Sequence, residues 1–366
     1  MSGPTTASPL EAEHERLGAT FTDFAGWRMP VRYTSDLAEH RAVREGGGVF
    51  DLSHMGEVEV SGPGAAQALS YCLASDIGAV AVGKAKYTLL CAADGGVLDD
   101  LVVYRLADDR FLLVVNAANA AEDLAVITER AVDFDAAVHD RSPDTALIAV
   151  QGPRSAELLG SLGADTEGLK YYAARPATVD GIEVLLLART GYTGEDGFEL
   201  YLPTASARAL WRNILTAGEP LGVVPTGLAC RDTLRLEAGM ALYGHELDGT
   251  TNPFAAGLRR IVALDHEFVG RDALRDRADE PLARILIGLT GSGRRAARAG
   301  NAVLDGDGAT VGEVTSGALS PTLGVPIALA YVDVALAREG TEVGVDVRGT
   351  TQPMTVTKPP FYRRPR

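Results

Sequence analysis

The sequence predicts an α+β fold: two related antiparallel α+β units followed by a small all-β domain, built as a barrel or a jelly-roll-like sandwich. Three observations carry this. Val60-Ser61-Gly62-Pro63-Gly64-Ala65-Ala66-Gln67-Ala68-Leu69 resembles Val150-Gln151-Gly152-Pro153-Arg154-Ser155-Ala156-Glu157-Leu158-Leu159, each reading as a strand end, a Gly-Pro turn and a helix start. Hairpin patterns then alternate with helical ones, which suits antiparallel sheets better than a doubly wound parallel sheet. Beyond residue 282 the chain is a run of short strand patterns broken by Gly and Pro.

The elements follow from local pattern. After the first repeat copy, 87–91 reads as a strand, Asp94-Gly95-Gly96 as its turn, 98–106 and 111–115 as two further strands, and Asn119 as the cap of a helix over 120–132. After the second copy, strands are predicted at 182–188 and 198–202, joined by a Gly-rich turn, with a helix over 205–217. The charged stretch 272–281 suits a linker or exposed helix. Strands at 284–289, 302–304, 311–316, 327–332 and 342–347 complete the pattern.

Composition narrows the function. With 366 residues there is ample length for two or three domains, and a net charge of -15 argues against nucleic acid as a partner. A few arginines can still focus a positive potential inside a cleft. No apolar run is long enough to span a bilayer, and the polar opening followed by Glu11, Glu13 and Glu15 suits neither a signal nor a transit peptide. A cytoplasmic protein is expected. Cys72, Cys91 and Cys230 are widely spaced and read as free buried thiols.

The common catalytic signatures are missing. Gly78 to Lys84 approaches a P-loop, but Ala85 stands where the Mg²⁺-binding hydroxyl belongs. No dinucleotide fingerprint or nucleophile elbow occurs, and the six histidines stand singly, so no metal is expected.

Four segments hold more Gly, charge and aromatic residues than packing requires: 95–104, beginning Gly95-Gly96-Val97-Leu98-Asp99-Asp100; 189–199, with Gly191-Tyr192-Thr193-Gly194-Glu195-Asp196-Gly197-Phe198-Glu199; 229–239, with Arg231-Asp232-Thr233-Leu234-Arg235-Leu236-Glu237-Ala238-Gly239; and 312–321, with Val314-Thr315-Ser316-Gly317-Ala318-Leu319-Ser320-Pro321. In this order, and with Asp51-Leu52-Ser53-His54-Met55-Gly56 and Ala25-Gly26-Trp27-Arg28-Met29-Pro30 ahead of them, they resemble the aminomethyltransferase (T-protein) family of the glycine cleavage system. The resemblance spans nearly the whole chain. It implies three lobes around a central channel for tetrahydrofolate as co-substrate, and a lipoylated H-protein as the partner that delivers an aminomethyl group. Related chains on this fold include folate-dependent demethylase or oxidase-type domains and a non-catalytic folate-binding protein. The expected division is 1–55 with 145–270, then 56–144, then 282–366.

Asp99 and Asp100 are neighbours on a strand, so they face opposite sides, one inward and one outward. Both could be exposed acids flanking the turn. The resemblance instead makes Asp100 catalytic, placed to orient the reacting amine, take its proton and stabilise cationic character. Glu199, between apolar Phe198 and Leu200, is either a solvent-facing strand residue or, by resemblance, the acceptor of two parallel hydrogen bonds from the pterin. Arg231 and Arg235 lie at i, i+4 and could pair with Asp232 or Glu237; the resemblance carries ligand binding to Arg231 only. Tyr192 is either a ligand wall or packed on its turn. Tyr87, Tyr104 and Asn116 match family channel positions and Met55 lies in a matching amino-terminal segment, with core packing or a satisfied strand hydrogen bond as the alternative for each. Pro253-Phe254-Ala255-Ala256-Gly257-Leu258-Arg259-Arg260 departs from the family's P-x-E-A-G-L-G-W, which bears on the channel rim and the docking surface.

Overall fold

The computed structural model describes residues 5–365; residues 1–4, which begin the polar opening, lie outside it. Residues 1–55, for which the sequence pattern assigns no elements, begin with β1 (Thr6–Ala7), α1 (Glu11–Arg16), β2 (Thr20–Phe24) and β3 (Trp27–Arg32), the strands forming a small sheet in the order β1-β3-β2. Helix α2 (Asp36–Glu45) starts where the Ser35 hydroxyl accepts from the Ala38 N–H at 3.2 Å, and β4 (Gly47–Asp51) follows.

The repeat in sequence is a repeat in path. The chain runs through β5 (Gly56–Ser61), α3 (Ala65–Cys72), β6 (Ala85–Cys91), β7 (Val97–Ala107), β8 (Arg110–Val115), α4 (Ala120–Ala131) and β9 (Ala137–Asp140), forming a sheet ordered β6-β7-β8-β5-β9. It then repeats the course with β10 (Thr145–Gln151), α5 (Ser155–Ser161), β11 (Ala174–Val179), β12 (Ile182–Ala188), β13 (Gly197–Pro203), α6 (Thr204–Gly218) and β14 (Val223–Pro225), ordered β11-β12-β13-β10-β4-β14. Each copy turns from its first strand at a glycine that no other residue could replace without strain: Gly62 has φ +120° and Gly152 φ +130°. A Cβ would lie 2.7 Å from the Asp135 carbonyl oxygen at Gly62 and 2.6 Å from that of Val43 at Gly152. The second copy differs in one respect. β4 inserts between β10 and β14, and β14 runs parallel to β4, so this sheet is not wholly antiparallel.

Helix α7 (Leu228–Glu237) leaves β14, and a mostly irregular segment leads through α8 (Arg271–Arg277) to the last domain. There β15 (Arg284–Gly291), β16 (Ala302–Leu304), β17 (Thr310–Leu319), β18 (Pro326–Asp333), β19 (Glu342–Asp346) and β20 (Thr351–Thr357) close a barrel in the order β15-β18-β17-β16-β19-β20. The pattern for β20 is absent from the sequence prediction because Gln352 and Pro353 interrupt its apolar alternation. Its pairing with β15 and β19 nevertheless closes the barrel and removes the free edges.

Packing arranges both units, the first unit carrying the β10 sheet and the second unit the β5 sheet, as helices outside and sheets inside. One core lies between the β10 sheet and α5 and α6, with Trp211, Phe198 and Leu200 fully buried. Another lies between the β5 sheet and α3 and α4. A third joins the facing sheets, bringing Phe50, Leu147 and Tyr201 against Tyr104, Leu112 and Val114. Among the described residues no helix is long and apolar enough to cross a membrane.

Glu237, at the end of α7, ties the barrel to the first unit. It accepts hydrogen bonds from the Ser320 hydroxyl, from the Thr322 N–H at 3.0 Å and from Arg44 at 2.7 Å, and His40 lies 3.1 Å away. Burial opposes its charge, but these donors outweigh burial and hold its pKa down at about 2. Glu237→Ala takes one of two carboxylates from Arg44, which keeps Glu195 at 2.8 Å, and leaves the Ser320 and Thr322 hydroxyls without this acceptor; it should cost on the order of 2–3 kcal/mol in chemical denaturation. In the wild type the stabilisation is complete above the ordinary carboxylate range and is lost as pH falls toward 2, so the variant's deficit in melting temperature should shrink with acidification.

Candidate active site

Period-2 alternation on β7 builds the site. Asp99, Leu101 and Val103 point into the core beneath the second unit's helices, while Asp100, Val102 and Tyr104 point toward the first unit. On the neighbouring strand Tyr87 stands opposite Val102, on the Asp100 face, and its hydroxyl donates to Asp100 Oδ2 at 2.8 Å. Just beyond β8, the Asn116 amide donates to Asp99 Oδ1 at 2.8 Å, to the Asp100 carbonyl at 3.0 Å and to Asp100 Oδ1 at 3.1 Å. Burial, and then the neighbouring Asp99 carboxylate, push the Asp100 pKa up to about 7, against the Tyr87 and Asn116 hydrogen bonds that lower it. Such a carboxyl exchanges its proton near neutral pH.

The facing wall comes from β13. Glu199 and Tyr201 share the face turned to the second unit, while Phe198, Leu200 and Leu202 fill the first unit's core. Tyr104 donates to Glu199 Oε2 at 3.3 Å, Thr190 donates to the same oxygen, and Tyr201 donates to Tyr104 at 3.2 Å. The neutral hydroxyls leave Glu199 Oε1 without a donor from these groups.

Arg231 on α7 lies with its guanidinium 4.7 Å from the Tyr192 ring centre, and the Tyr192 hydroxyl donates to the Ala241 carbonyl. Among the described residues Arg231 has no carboxylate or hydrogen-bond partner, although burial opposes its charge and pushes its pKa down. Arg235, one turn on, is fully buried and fully paired: it donates to Glu246 at 2.9 Å, to Ser316 at 2.8 Å and to Asp232 at 2.8 Å. The salt-bridge reading therefore holds for Arg235, with Glu246 rather than Glu237 as its main acid, and fails for Arg231.

Asp100, Tyr87 and Asn116 are thus in one hydrogen-bonded group, Glu199 and Tyr104 in another, and Arg231 and Tyr192 in a third. Met55 packs against the core that joins the two sheets and makes no polar contact through its side chain. Two readings need correction. The alternative in which both acids are exposed beside the turn fails at Asp99, which is fully buried and accepts from Asn116 and, at 2.7 Å, from the Asn119 amide. Asn119 for the same reason does not cap α4 with its side chain, because the buried acid takes the amide. The departing Arg259 lies on the outer surface, over the Phe254 ring at 4.3 Å and donating to the Ala278 carbonyl at the end of α8.

The sequence reading missed Thr190, Tyr201, Tyr172 and Glu246. Tyr201 was accessible as the residue two beyond Glu199 on one strand face. Tyr172, which comes near Glu199 and Asp100 from a loop at φ +58°, carries no such signal.

An unpaired Arg231 and a fully paired Arg235 make opposite predictions for stability. Arg235→Ala leaves Glu246 buried without its cation and should cost roughly 3–5 kcal/mol in urea unfolding. Arg231→Ala should cost about 2 kcal/mol or less, the size of a desolvated contact with the Tyr192 ring.

Comparison with known proteins gives one answer along the whole chain. Residues 10–266 match the GCVT N-terminal domain, and residues 284–363 match the glycine cleavage T-protein C-terminal barrel domain. An aminomethyltransferase of Streptomyces avermitilis is 58% identical over 97% of this chain and 97% of its own length. One from Saccharopolyspora erythraea is 54% identical over 100% of both chains. The crystal structure of glycine cleavage system aminomethyltransferase T from Bartonella henselae superposes with a TM-score of 0.92 at 38% identity, covering 98% of each chain. This chain belongs to the T-protein (aminomethyltransferase) family of the glycine cleavage system.

Proposed function

We propose that the protein transfers the methylene carbon of an aminomethyl group, carried on the lipoyl arm of H-protein, to tetrahydrofolate. The products are 5,10-methylenetetrahydrofolate, ammonia and dihydrolipoyl H-protein. Two carbon–nitrogen bonds form on the folate while the carbon–sulfur bond to the arm and the bond to ammonia break. The observation that carries this reading is Asp100: a carboxyl whose proton is exchangeable near pH 7, held by Tyr87 and Asn116 on a face shared with Tyr104 and turned toward Glu199.

In this reading Asp100 orients a reacting amine, accepts a proton from it and stabilises the cationic character that develops as ammonia leaves. Tyr87 and Asn116 fix its two oxygens. Glu199 accepts from the pterin's amino and ring N–H groups, and Tyr104 and Thr190 hold it in place. Arg231 offers the ligand an unpaired fork and Tyr192 a flat wall, while Met55 supplies apolar contact. For Arg231 the missing partner supports a role toward an anion or a carbonyl of the ligand rather than toward the fold.

The docking side of the reaction fits a cleft of about 820 Å³ between α2, α7 and β17. Arg41, Arg294 and Arg298 line it and form no ion pair with a carboxylate among the described residues, while Asp232 and Arg235 belong to the helix that carries Arg231. A cleft so lined suits an arm presented by an acidic surface. A cytoplasmic setting agrees with three buried free cysteines. The division into 1–55 with 145–270, 56–144 and 282–366 is supported by the three main sheets, with residues 247–268 lying across onto the second unit's Leu89 and Val97.

The decisive assay is methylenetetrahydrofolate formation from aminomethyl-loaded H-protein. Asp100→Asn should lower turnover at least ~100-fold with folate affinity nearly unchanged. Wild-type turnover should fall as pH drops through about 7, where the base becomes protonated. Normal turnover in a folded Asp100→Asn variant sinks the catalytic assignment. Glu199→Ala should weaken tetrahydrofolate binding by on the order of 2–3 kcal/mol in calorimetry, and an unchanged affinity removes Glu199 from the pterin site.

A further inference from the structure

Behind the proposed active site lies an acid that the reaction scheme does not use. Asp123, on α4, is 1% exposed, and neither of its side-chain oxygens receives a hydrogen bond. Asp123 follows Asn119 by one helical turn, its N–H donating to the Asn119 carbonyl at 2.8 Å, and the Asn119 amide donates to Asp99 on β7 at 2.7 Å, which brings the Asp123 carboxyl to the Asp99 side of the helix. Asp99 is supplied very differently. It accepts from the Asn116 N–H at 3.0 Å, from the Asn116 amide at 2.8 Å and from the Asn119 amide at 2.7 Å. Among the described residues no three such side chains gather as a metal-binding group.

Two buried carboxyls in contact cannot both stay ionised without a cation between them. Three donors aimed at Asp99 place the charge there. The remaining proton then belongs on Asp123, where it can be donated to Asp99. This supplies a reason for an otherwise unpartnered buried acid. The chain of contacts continues forward: Asp99 orients the Asn116 amide, and that amide holds Asp100 Oδ1 at 3.1 Å.

We propose that Asp123 is a positioning residue for the transfer reaction: it shares one proton with Asp99 and, through Asp99 and Asn116, fixes the carboxylate of Asp100. The effect on turnover rests on the catalytic reading of Asp100; the location of the proton does not. The titratable groups around Asp123 are Asp99 and Asp100 on β7, Glu122 on its own helix and Tyr243 from the segment after α7. Burial first, and then Asp99, raise its pKa from the ordinary carboxylate value.

The sign of the linkage is definite. Above the ordinary carboxylate range the folded chain keeps a proton at Asp123 that the unfolded chain has released, so this site weakens folding progressively as pH rises. Asp123→Asn keeps a donor toward Asp99 and has no proton to lose. Its melting temperature relative to wild type should therefore climb between pH 5 and pH 8. Its kcat should stay within about threefold of wild type, and the acid limb of its pH–rate profile should not move, because a neutral group replaces a neutral group.

Asp123→Leu removes the donor at similar volume. It should lower kcat at least ~10-fold while KM for tetrahydrofolate stays within about twofold, a split that general destabilisation does not produce. Two results overturn the proposal. One is an Asp123→Asn melting difference that is independent of pH together with an acid limb moved to lower pH, which means the native Asp123 is charged. The other is equal kcat in the Asn and Leu variants, which means the donor positions nothing. Should Asp100→Asn itself keep full turnover, the catalytic reading fails separately, and the melting comparison still decides where the proton lies.

Discussion

Two pleated sheets pressed face to face set the terms for the rest of this molecule. The seam between them is apolar over most of its area, with Phe50, Leu147, Leu112 and Val114 in contact across it. A polar side chain on either inner face must therefore find a partner from the opposite sheet or lie where the seam opens. Tyr104 and Tyr201 do the first, bonding each other across the interface. Asp100, Tyr87 and Glu199 are only half-buried and do the second. The candidate site residues are thus placed by the limits of close packing, and burial is enough to raise the pKa of Asp100 and of Tyr87.

Asp100 illustrates the balance. Tyr87 and Asn116 give it enough hydrogen bonding to hold one rotamer, while burial and Asp99 keep its proton affinity high. A stronger set of donors would make it a permanently ionised structural acid like Glu237, whose many partners hold its pKa down at about 2. A completely apolar setting would leave it protonated. The same chain supplies both outcomes, and the number and kind of donors decide between them.

Helix α7 converts this geometry into a three-part architecture. Arg231 near its start faces Tyr192, Arg235 is locked to Glu246 and Ser316, and Glu237 at its end receives Ser320 and Thr322 from the barrel. Apolar contact accompanies the polar ones, since Leu236 packs against Ile327 and Leu329. One helix therefore reaches the candidate site, the first unit and the barrel interface, and its two arginines differ because only one of them meets an acid.

Local sequence determined a good deal. Period-2 alternation placed β7, β8, β12 and β13, helical periodicity placed α4 and α6, and the duplicated Gly-Pro turn announced two units whose strands follow the same order. It also determined that Asp99 and Asp100 face opposite ways, because neighbours on a strand must. Tertiary structure decided what lies on each side. Whether Asp99 met water or a buried amide depended on where Asn116 and Asn119 arrived, and whether Arg231 found a carboxylate depended on loops far away in the chain. Tyr172 and Glu246 reach their places through irregular segments that carry no period to read. β20 was settled by closure of the barrel rather than by its own alternation. Backbone geometry propagates along neighbouring residues, whereas a charge is stabilised by whatever group packing brings within hydrogen-bond distance, and that is a property of the whole chain.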